Sequence, residues 1–106
     1  MTVWTPSSIG AGPGPVSYTE FVRSEALSAG FYRLEKGAED PQEPHREDEV
    51  YCVISGRGRL RVGEEVFDLA PGSTAFVPAH APHRFESIAE DLALLVVFAP
   101  PESVTE

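Results

Sequence analysis

Cysteine and long apolar runs are scarce in this 106-residue sequence. The single cysteine, Cys52, cannot form a disulfide within the chain, which indicates a cytoplasmic location. The longest apolar run, residues 92–99, has the length of a strand and falls far short of the roughly 20 residues of a membrane-spanning helix. The sequence also lacks the basic start and apolar stretch of a secretory leader, so we expect no membrane partner.

Basic residues are few, because 8 Lys and Arg stand against 17 Asp and Glu, for a formal net charge of −9. Such a chain repels the phosphates of nucleic acids and of anionic membranes, so neither is an expected partner. The hydrophobic fraction of 42% is ordinary for a globular protein, and the length fits a single core.

Patterns typical of amphipathic helices are also missing. The first 15 residues are rich in proline and glycine and predict an N-terminal arm, followed by one barrel domain over residues 16–106. Residues 18–24 fit either a helical turn or an edge strand. From Ala26 onward, short apolar runs alternate with turn residues, which predicts an all-β sandwich or barrel with little or no helix. The predicted strands cover residues 27–35, 50–56, 58–62, 66–69, 74–77, 83–88 and 92–99.

Metal-ligand chemistry concentrates around the three histidines, His45, His80 and His83. On one straight strand, His45 and Glu49 would lie roughly 13 Å apart, too far to share an ion. The intervening residues 46–48 are all charged and can form a turn that brings the two side chains together. Glu49 then begins a strand, with Tyr51 on the same face. A carboxylate in that position needs a cation or a hydrogen-bond network to offset its desolvation.

The order and spacing of residues 37–56 resemble the first motif of the cupin superfamily. That motif runs Gly, five residues, His, one residue, His, three or four residues, Glu, six residues, Gly. Here the corresponding residues are Gly37, Glu43, His45, Glu49 and Gly56. Every spacing is met, and Glu43 stands in the place of the first histidine.

Residues 72–87 resemble the second cupin motif, which runs Gly, five residues, Pro, one residue, Gly, two residues, His, three residues, Asn. Gly72, Pro78 and His83 are in register, while His80 replaces the middle glycine and Ser87 the asparagine. We interpret His80 as a structural or rim residue, because histidine tolerates a positive φ better than most residues. Two motifs in the right order imply the cupin fold, a double-stranded β-helix or jelly-roll barrel.

The resemblance implies that His45, Glu49 and His83 bind a divalent metal such as Mn, Fe, Ni, Cu or Zn. Glu43 is either a fourth ligand or a solvent-exposed carboxylate of an acidic loop, with Gln42 a weaker candidate ligand. If Glu43 points away, two histidines and one glutamate resemble a facial triad with open positions suited to Fe(II) or Mn(II). If Glu43 binds, the site is formally neutral and lowers the pKa of a bound water less.

The resemblance also implies a small organic ligand in the barrel, with a pocket formed by Tyr51, Phe76 and Phe85. We expect a metal-dependent oxygenase or isomerase, or alternatively a non-catalytic binding or sensing domain with a degenerate metal site. Cupins commonly dimerise through sheet faces, and the apolar run 94–98 predicts such a homodimer surface. Arg57, Arg59 and Arg61 alternate along one strand, and we interpret them as a solvated stripe paired with nearby acids.

Overall fold

A computed structural model of the chain describes residues 2–6, 12–41 and 44–103. Strands dominate this part of the chain, which confirms the all-β prediction. The six strands are β1 Val16–Arg23, β2 Ser28–Leu34, β3 Asp48–Val62, β4 Glu65–Leu69, β5 Thr74–Val77 and β6 His83–Ala99. Residues 18–24 therefore belong largely to an edge strand, because β1 pairs only with β2 within the described sheet.

All the pairings are antiparallel, in the order β1-β2-β6-β3-β4, and β5 pairs with the first part of β3, ahead of the stretch that pairs with β4. Two strands are longer than the sequence predicts. The expected breaks near residue 57 and over residues 89–91 do not interrupt the chain, and β3 and β6 run through them as continuous strands of 15 and 17 residues. Gly56 and Asp91 look like turn residues in the sequence, but they lie at a bend inside the antiparallel ribbon that β3 and β6 form.

The bend in the β3–β6 ribbon closes the barrel. A straight strand of 15 residues would span roughly 46 Å or more, yet the longest dimension of the molecule is 34 Å. Register shifts between Val53 and Arg59 absorb the difference. Gly56 lies within these shifts with a φ of 93°, and a side chain there would collide with the carbonyl of Asp91. Consequently both ends of the ribbon face one interior, as in a jelly-roll barrel.

The register shifts also change which residues point inward. Along β3, buried side chains fall on Glu49, Tyr51 and Val53 before the bend and on Leu60 after it, so the inward side moves from odd to even positions. A bulge causes such a change because it adds a residue without a partner. The apolar core of buried residues includes Leu34, Leu60, Phe85, Leu92 and Leu94.

The described part of the N-terminal arm contacts the barrel through one aromatic pair. The ring of Trp4 packs against that of Phe21 on β1, with centroids 5.1 Å apart. This contact is the kind of anchor that an aromatic side chain in a proline- and glycine-rich segment suggests. Over the described residues, no helix is long and apolar enough to cross a membrane.

Candidate metal centre

Glu49 is the second residue of β3 and points into the barrel between the flanking strands, where Val77 and Phe98 are its cross-strand neighbours. Its side chain is only 1% exposed. Neither carboxylate oxygen receives a hydrogen bond from any of the described residues. A buried ionised carboxylate without a hydrogen-bond donor strongly destabilises the fold unless a cation compensates its charge.

His83 begins β6 and faces Glu49 across the interior. Its Nδ1 lies 2.9 Å from the carbonyl oxygen of Ala81, to which Nδ1–H donates, so in the neutral imidazole Nε2 carries the lone pair. This nitrogen lies 3.1 Å from Oε1 of Glu49 and 3.1 Å from the hydroxyl of Tyr51. Burial lowers the pKa of His83, but the Glu49 carboxylate and the Ala81 carbonyl outweigh it and raise the pKa above its ordinary value.

His45 reaches the same point from the segment before β3. Residues 46 and 47 bend the chain, which brings Nε2 of His45 to 3.8 Å from Oε1 of Glu49. The carbonyl of His45 accepts a hydrogen bond from the backbone N–H of His80 at 2.7 Å, and Asp48 Oδ1 accepts one from the N–H of Ala79 at 2.8 Å. Residues 79 and 80 of the second motif therefore hold, by these two hydrogen bonds, the segment of the first motif that contains His45.

The three side chains fit a divalent metal. One ligand atom from each of His45, Glu49 and His83 lies within 4.8 Å of the others. Two ligands about 2.1 Å from one ion lie roughly 3.0–3.4 Å apart, so the 3.1 Å separation already matches and the 3.8 Å separation needs only a small movement. The backbone carbonyl bound to His83 is the outer partner that a metal-binding histidine usually has. Two imidazoles and one carboxylate suit Mn, Fe, Ni, Cu or Zn and leave coordination positions open.

The structure thus brings together the three side chains that the two motifs predict as ligands, and the charged bend after His45 carries Glu49 back to it. Glu43 and Gln42 lie outside the described residues, so the fourth ligand stays a prediction. His80 is exposed and has a φ of 67°, in keeping with a structural residue of the turn.

A cavity of about 180 Å³ adjoins the cluster of His45, Glu49 and His83. Its wall includes His45 itself and Tyr51, which contacts His83. Tyr51 lines this cavity, and its role in a substrate pocket stays a prediction. Phe85 does not reach the cavity, because it is fully buried in the core, where its ring packs against that of Tyr51 at 4.9 Å. The remaining lining residues are Tyr18, Tyr32, Val96, Phe98 and Glu102.

The predicted position of Phe76 in this pocket differs from the structure. Phe76 is 63% exposed and lines a groove on the outer surface of the barrel. The reason is that side chains alternate along a strand. Val77 is buried next to Glu49, so the adjacent residue Phe76 points outward.

Sequence reasoning missed several cavity residues. Tyr32 has the same parity on β2 as the buried Leu34, but burial does not alternate along this strand, so parity alone could not single it out. Glu102 follows the last strand and carries no local signal. It is held by hydrogen bonds from its N–H to Ser28 Oγ at 2.9 Å and from Arg23 Nη2 to its carbonyl at 2.7 Å.

The jelly-roll barrel and the His/Glu/His cluster define the class of protein to which this chain is similar. The family model described as Cupin domain matches residues 30–98. The chain belongs to the cupin family, which confirms the resemblance of both motifs. Cupins often bind a metal, and the cluster at His45, Glu49 and His83 is one that could hold it.

Relatives agree with this assignment. The chain is 49% identical over 87 residues to the uncharacterized protein SCO3923 of Streptomyces coelicolor, covering 82% of this chain and 83% of that protein. TT1209 from Thermus thermophilus is a solved structure with 34% identity and a TM-score of 0.80, covering 95% of this chain and 99% of that chain. The DMSP lyase DddQ from Ruegeria pomeroyi has a TM-score of 0.75 at 21% identity, covering 80% and 47%, and shares the fold.

Proposed function

We propose that this cupin binds one divalent metal ion through His45, Glu49 and His83 and accepts a small organic molecule in the adjoining cavity. The observation that carries the proposal is the buried carboxylate of Glu49, whose oxygens face two imidazoles and have no other hydrogen-bond donor among the described residues. A cation at this point removes the cost of the buried charge. Glu43 remains a proposed fourth ligand.

A metal held by His45, Glu49 and His83 would supply Lewis-acid chemistry. The chain supplies the orientation. The Ala81 carbonyl fixes the tautomer of His83, and Tyr51 places its hydroxyl 3.1 Å from Nε2 of that histidine. Tyr51 can therefore hold a proton at its phenol oxygen beside the ligand cluster. Aromatic and aliphatic side chains form most of the wall of the same space.

This arrangement suits an enzyme that oxygenates or isomerises a small organic molecule. A second candidate function uses the same cavity for binding or sensing without catalysis. The mainly aromatic and aliphatic wall of the cavity favours this candidate, because such side chains hold a ligand but contribute little to proton transfer. Turnover of a bound molecule by the metal-loaded protein would separate the two candidates.

The test of the metal site is elemental analysis of protein purified without a chelating step. We expect close to one Mn, Fe, Ni, Cu or Zn per chain, lost in His83→Ala. The matched control is His80→Asn, which removes an exposed histidine and keeps a residue that tolerates a positive φ. A well-folded wild-type protein that takes up no metal under any loading condition would contradict the proposal.

We also propose a homodimer formed through the outer face of the sheet. Val50 is 38% exposed and lies between Phe76 and Val97 of the neighbouring strands, while Cys52 pairs with Leu95 on the same face. A two-fold axis buries this apolar face against its own copy, because each subunit contributes the same patch.

Sedimentation analysis tests the homodimer. Phe76→Lys places a charge on this face and should shift the protein to monomer, whereas Val66→Lys alters an exposed apolar residue of β4 and should not. A wild-type protein that is monomeric at high micromolar concentration would rule the dimer out.

A further inference from the structure

The two histidines of the proposed metal site are oriented in the same sense. In each ring Nε2 faces the carboxylate of Glu49, at 3.8 Å for His45 and 3.1 Å for His83. The other nitrogen of His83, Nδ1, lies 2.9 Å from the carbonyl oxygen of Ala81. The Nδ1 of His45 lies 3.6 Å from Oε2 of Glu102, on the segment that follows β6. Each imidazole therefore has an oxygen atom next to the nitrogen that faces away from Glu49.

Packing against Phe98 does not by itself fix the orientation of the His45 ring. The two rings have centroids 5.0 Å apart and planes at 63°. A hydrocarbon ring does not distinguish the two orientations of an imidazole, which differ by a half-turn that exchanges nitrogen and carbon positions. An oxygen at Nδ1 does distinguish them, because only one orientation places an N–H there. A carboxylate or a carbonyl usually has this role behind a metal-binding histidine.

The backbone around Glu102 is tied to three other parts of the barrel. Its N–H donates to Oγ of Ser28 on β2 at 2.9 Å, and Ser28 is fully buried. Its carbonyl accepts a hydrogen bond from Nη2 of Arg23 on β1 at 2.7 Å. The next residue, Ser103, donates its hydroxyl to the buried carboxylate of Glu47 at 2.7 Å, in the bend before β3. These hydrogen bonds fix the point from which the Glu102 side chain reaches the cavity.

We propose that Glu102 is a positioning residue of the metal site, which accepts a hydrogen bond from Nδ1–H of His45 and so directs the lone pair of Nε2 at the ion. This inference deepens the proposed function and rests on it for the ion itself. The separation of 3.6 Å exceeds an ordinary hydrogen bond by about 0.7 Å, which a small torsional change of the glutamate side chain removes. The segment after β6 thereby belongs to the metal site, although it lies outside both sequence motifs.

The first test is the affinity of the full-length protein for Zn²⁺, measured by competition with a chromophoric chelator. Glu102→Ala should raise the Kd by about 10- to 100-fold, which is the usual effect of removing the outer partner of a metal ligand. Glu102→Gln should stay within about 5-fold of the wild type, because its amide oxygen still accepts a hydrogen bond from Nδ1–H. Glu90→Ala is the matched control and should leave the Kd unchanged, because Glu90 pairs with Arg57 on the outer surface.

A second readout, by NMR at saturating Zn²⁺, separates ring orientation from general destabilisation. A hydrogen-bonded Nδ1–H exchanges slowly with water, so the wild type should give a resolved proton signal for His45 as well as for His83. In Glu102→Ala the His45 signal should broaden or disappear, whereas the His83 signal should remain, because Ala81 still accepts its hydrogen bond. Ser28→Ala removes the acceptor for the backbone N–H of Glu102 and should weaken Zn²⁺ binding in the same direction by a smaller factor.

The results keep the role of Glu102 apart from the metal site itself. A Zn²⁺ Kd of Glu102→Ala equal to that of the wild type overturns the inference and leaves the three ligands in place. A His45 signal that is absent from the wild type or unchanged in Glu102→Ala does the same, as does a loss of affinity in Glu102→Gln as large as that in Glu102→Ala. A folded wild-type protein that binds no Zn²⁺ contradicts the metal site and, with it, this inference.

Discussion

The two halves of β3 bury different kinds of residue. After the bend, apolar Leu60 is buried while Arg59 and Arg61 point outward and pair with Asp68 and Glu86 at 3.0 and 3.1 Å. Before the bend, charged Glu49 is buried beside apolar Tyr51. The second half has the ordinary pattern of a strand that covers a core, whereas the first half buries a charge among its apolar residues. The buried charge marks the part of the strand that carries the candidate site.

The two halves of β3 also differ in what they contribute to the free energy of unfolding. Burial of Leu60 stabilises the fold through the removal of apolar surface from water. Burial of Glu49 costs free energy, because its oxygens lose water and only the imidazoles of His45 and His83 face them among the described residues. We therefore expect opposite effects on stability from substitutions in the two halves.

The largest effect is expected at Leu60. Leu60→Ala should lower the free energy of unfolding by about 2–5 kcal/mol, because the surrounding core cannot fill the space of the lost side chain. Chemical denaturation of the metal-free protein measures this change. Val66→Ala, at an exposed position on β4, is the control and should change stability by less than about 0.5 kcal/mol. A small loss at Leu60 would mean that this half is not the stabilising one.

The next effect is the response of stability to metal. At a free metal concentration 100-fold above its Kd, the wild-type protein should gain about 2.7 kcal/mol in free energy of unfolding. Glu49→Gln should lose nearly all of this gain, because the amide oxygen is a poor ligand for the metal and carries no charge. The same metal titration of His80→Asn should match the wild type. An undiminished gain in Glu49→Gln would remove Glu49 from the metal site.

Without metal, the same substitution should act in the opposite direction. Glu49→Gln is expected to raise the free energy of unfolding by about 1–2 kcal/mol, because a neutral amide replaces a buried charge and its N–H can donate to Nε2 of His83. Denaturation in the presence of a chelator checks this. Destabilisation instead would show that the Glu49 carboxylate is satisfied in the metal-free fold.

The smallest effect is expected on the outer stripe of arginines. Arg59→Ala should lower stability by less than about 1 kcal/mol, and less at high salt, because the side chains of Arg59 and Asp68 are both largely exposed. A double-mutant cycle with Asp68→Ala isolates the pair. A coupling well above 1 kcal/mol would mean that the stripe does more than cover the barrel. The pairing of these arginines with acidic side chains confirms the interpretation of a solvated stripe that was drawn from the sequence.

Much of the fold and part of the site were accessible from the sequence. Alternation located the strands from β2 onward, and the two motifs singled out His45, Glu49 and His83. Phe76 was assigned to the wrong side of β5, because its hydrophobicity suggested burial while the buried Val77 takes the inward position. Glu102 could not be found, since it follows the last strand and reaches the cavity only through hydrogen bonds to Ser28 and Arg23.

The sequence by itself determined the period of each strand, the turn chemistry between strands and the residue types able to bind a metal, because these depend on neighbours along the chain. Only the tertiary structure decided that Glu49 and His83, at opposite ends of one long ribbon, meet in one interior. It also decided which rings and which carboxylate form the cavity. The physical reason is that barrel closure follows from the bend around Gly56 and from long-range pairing, which no local pattern encodes.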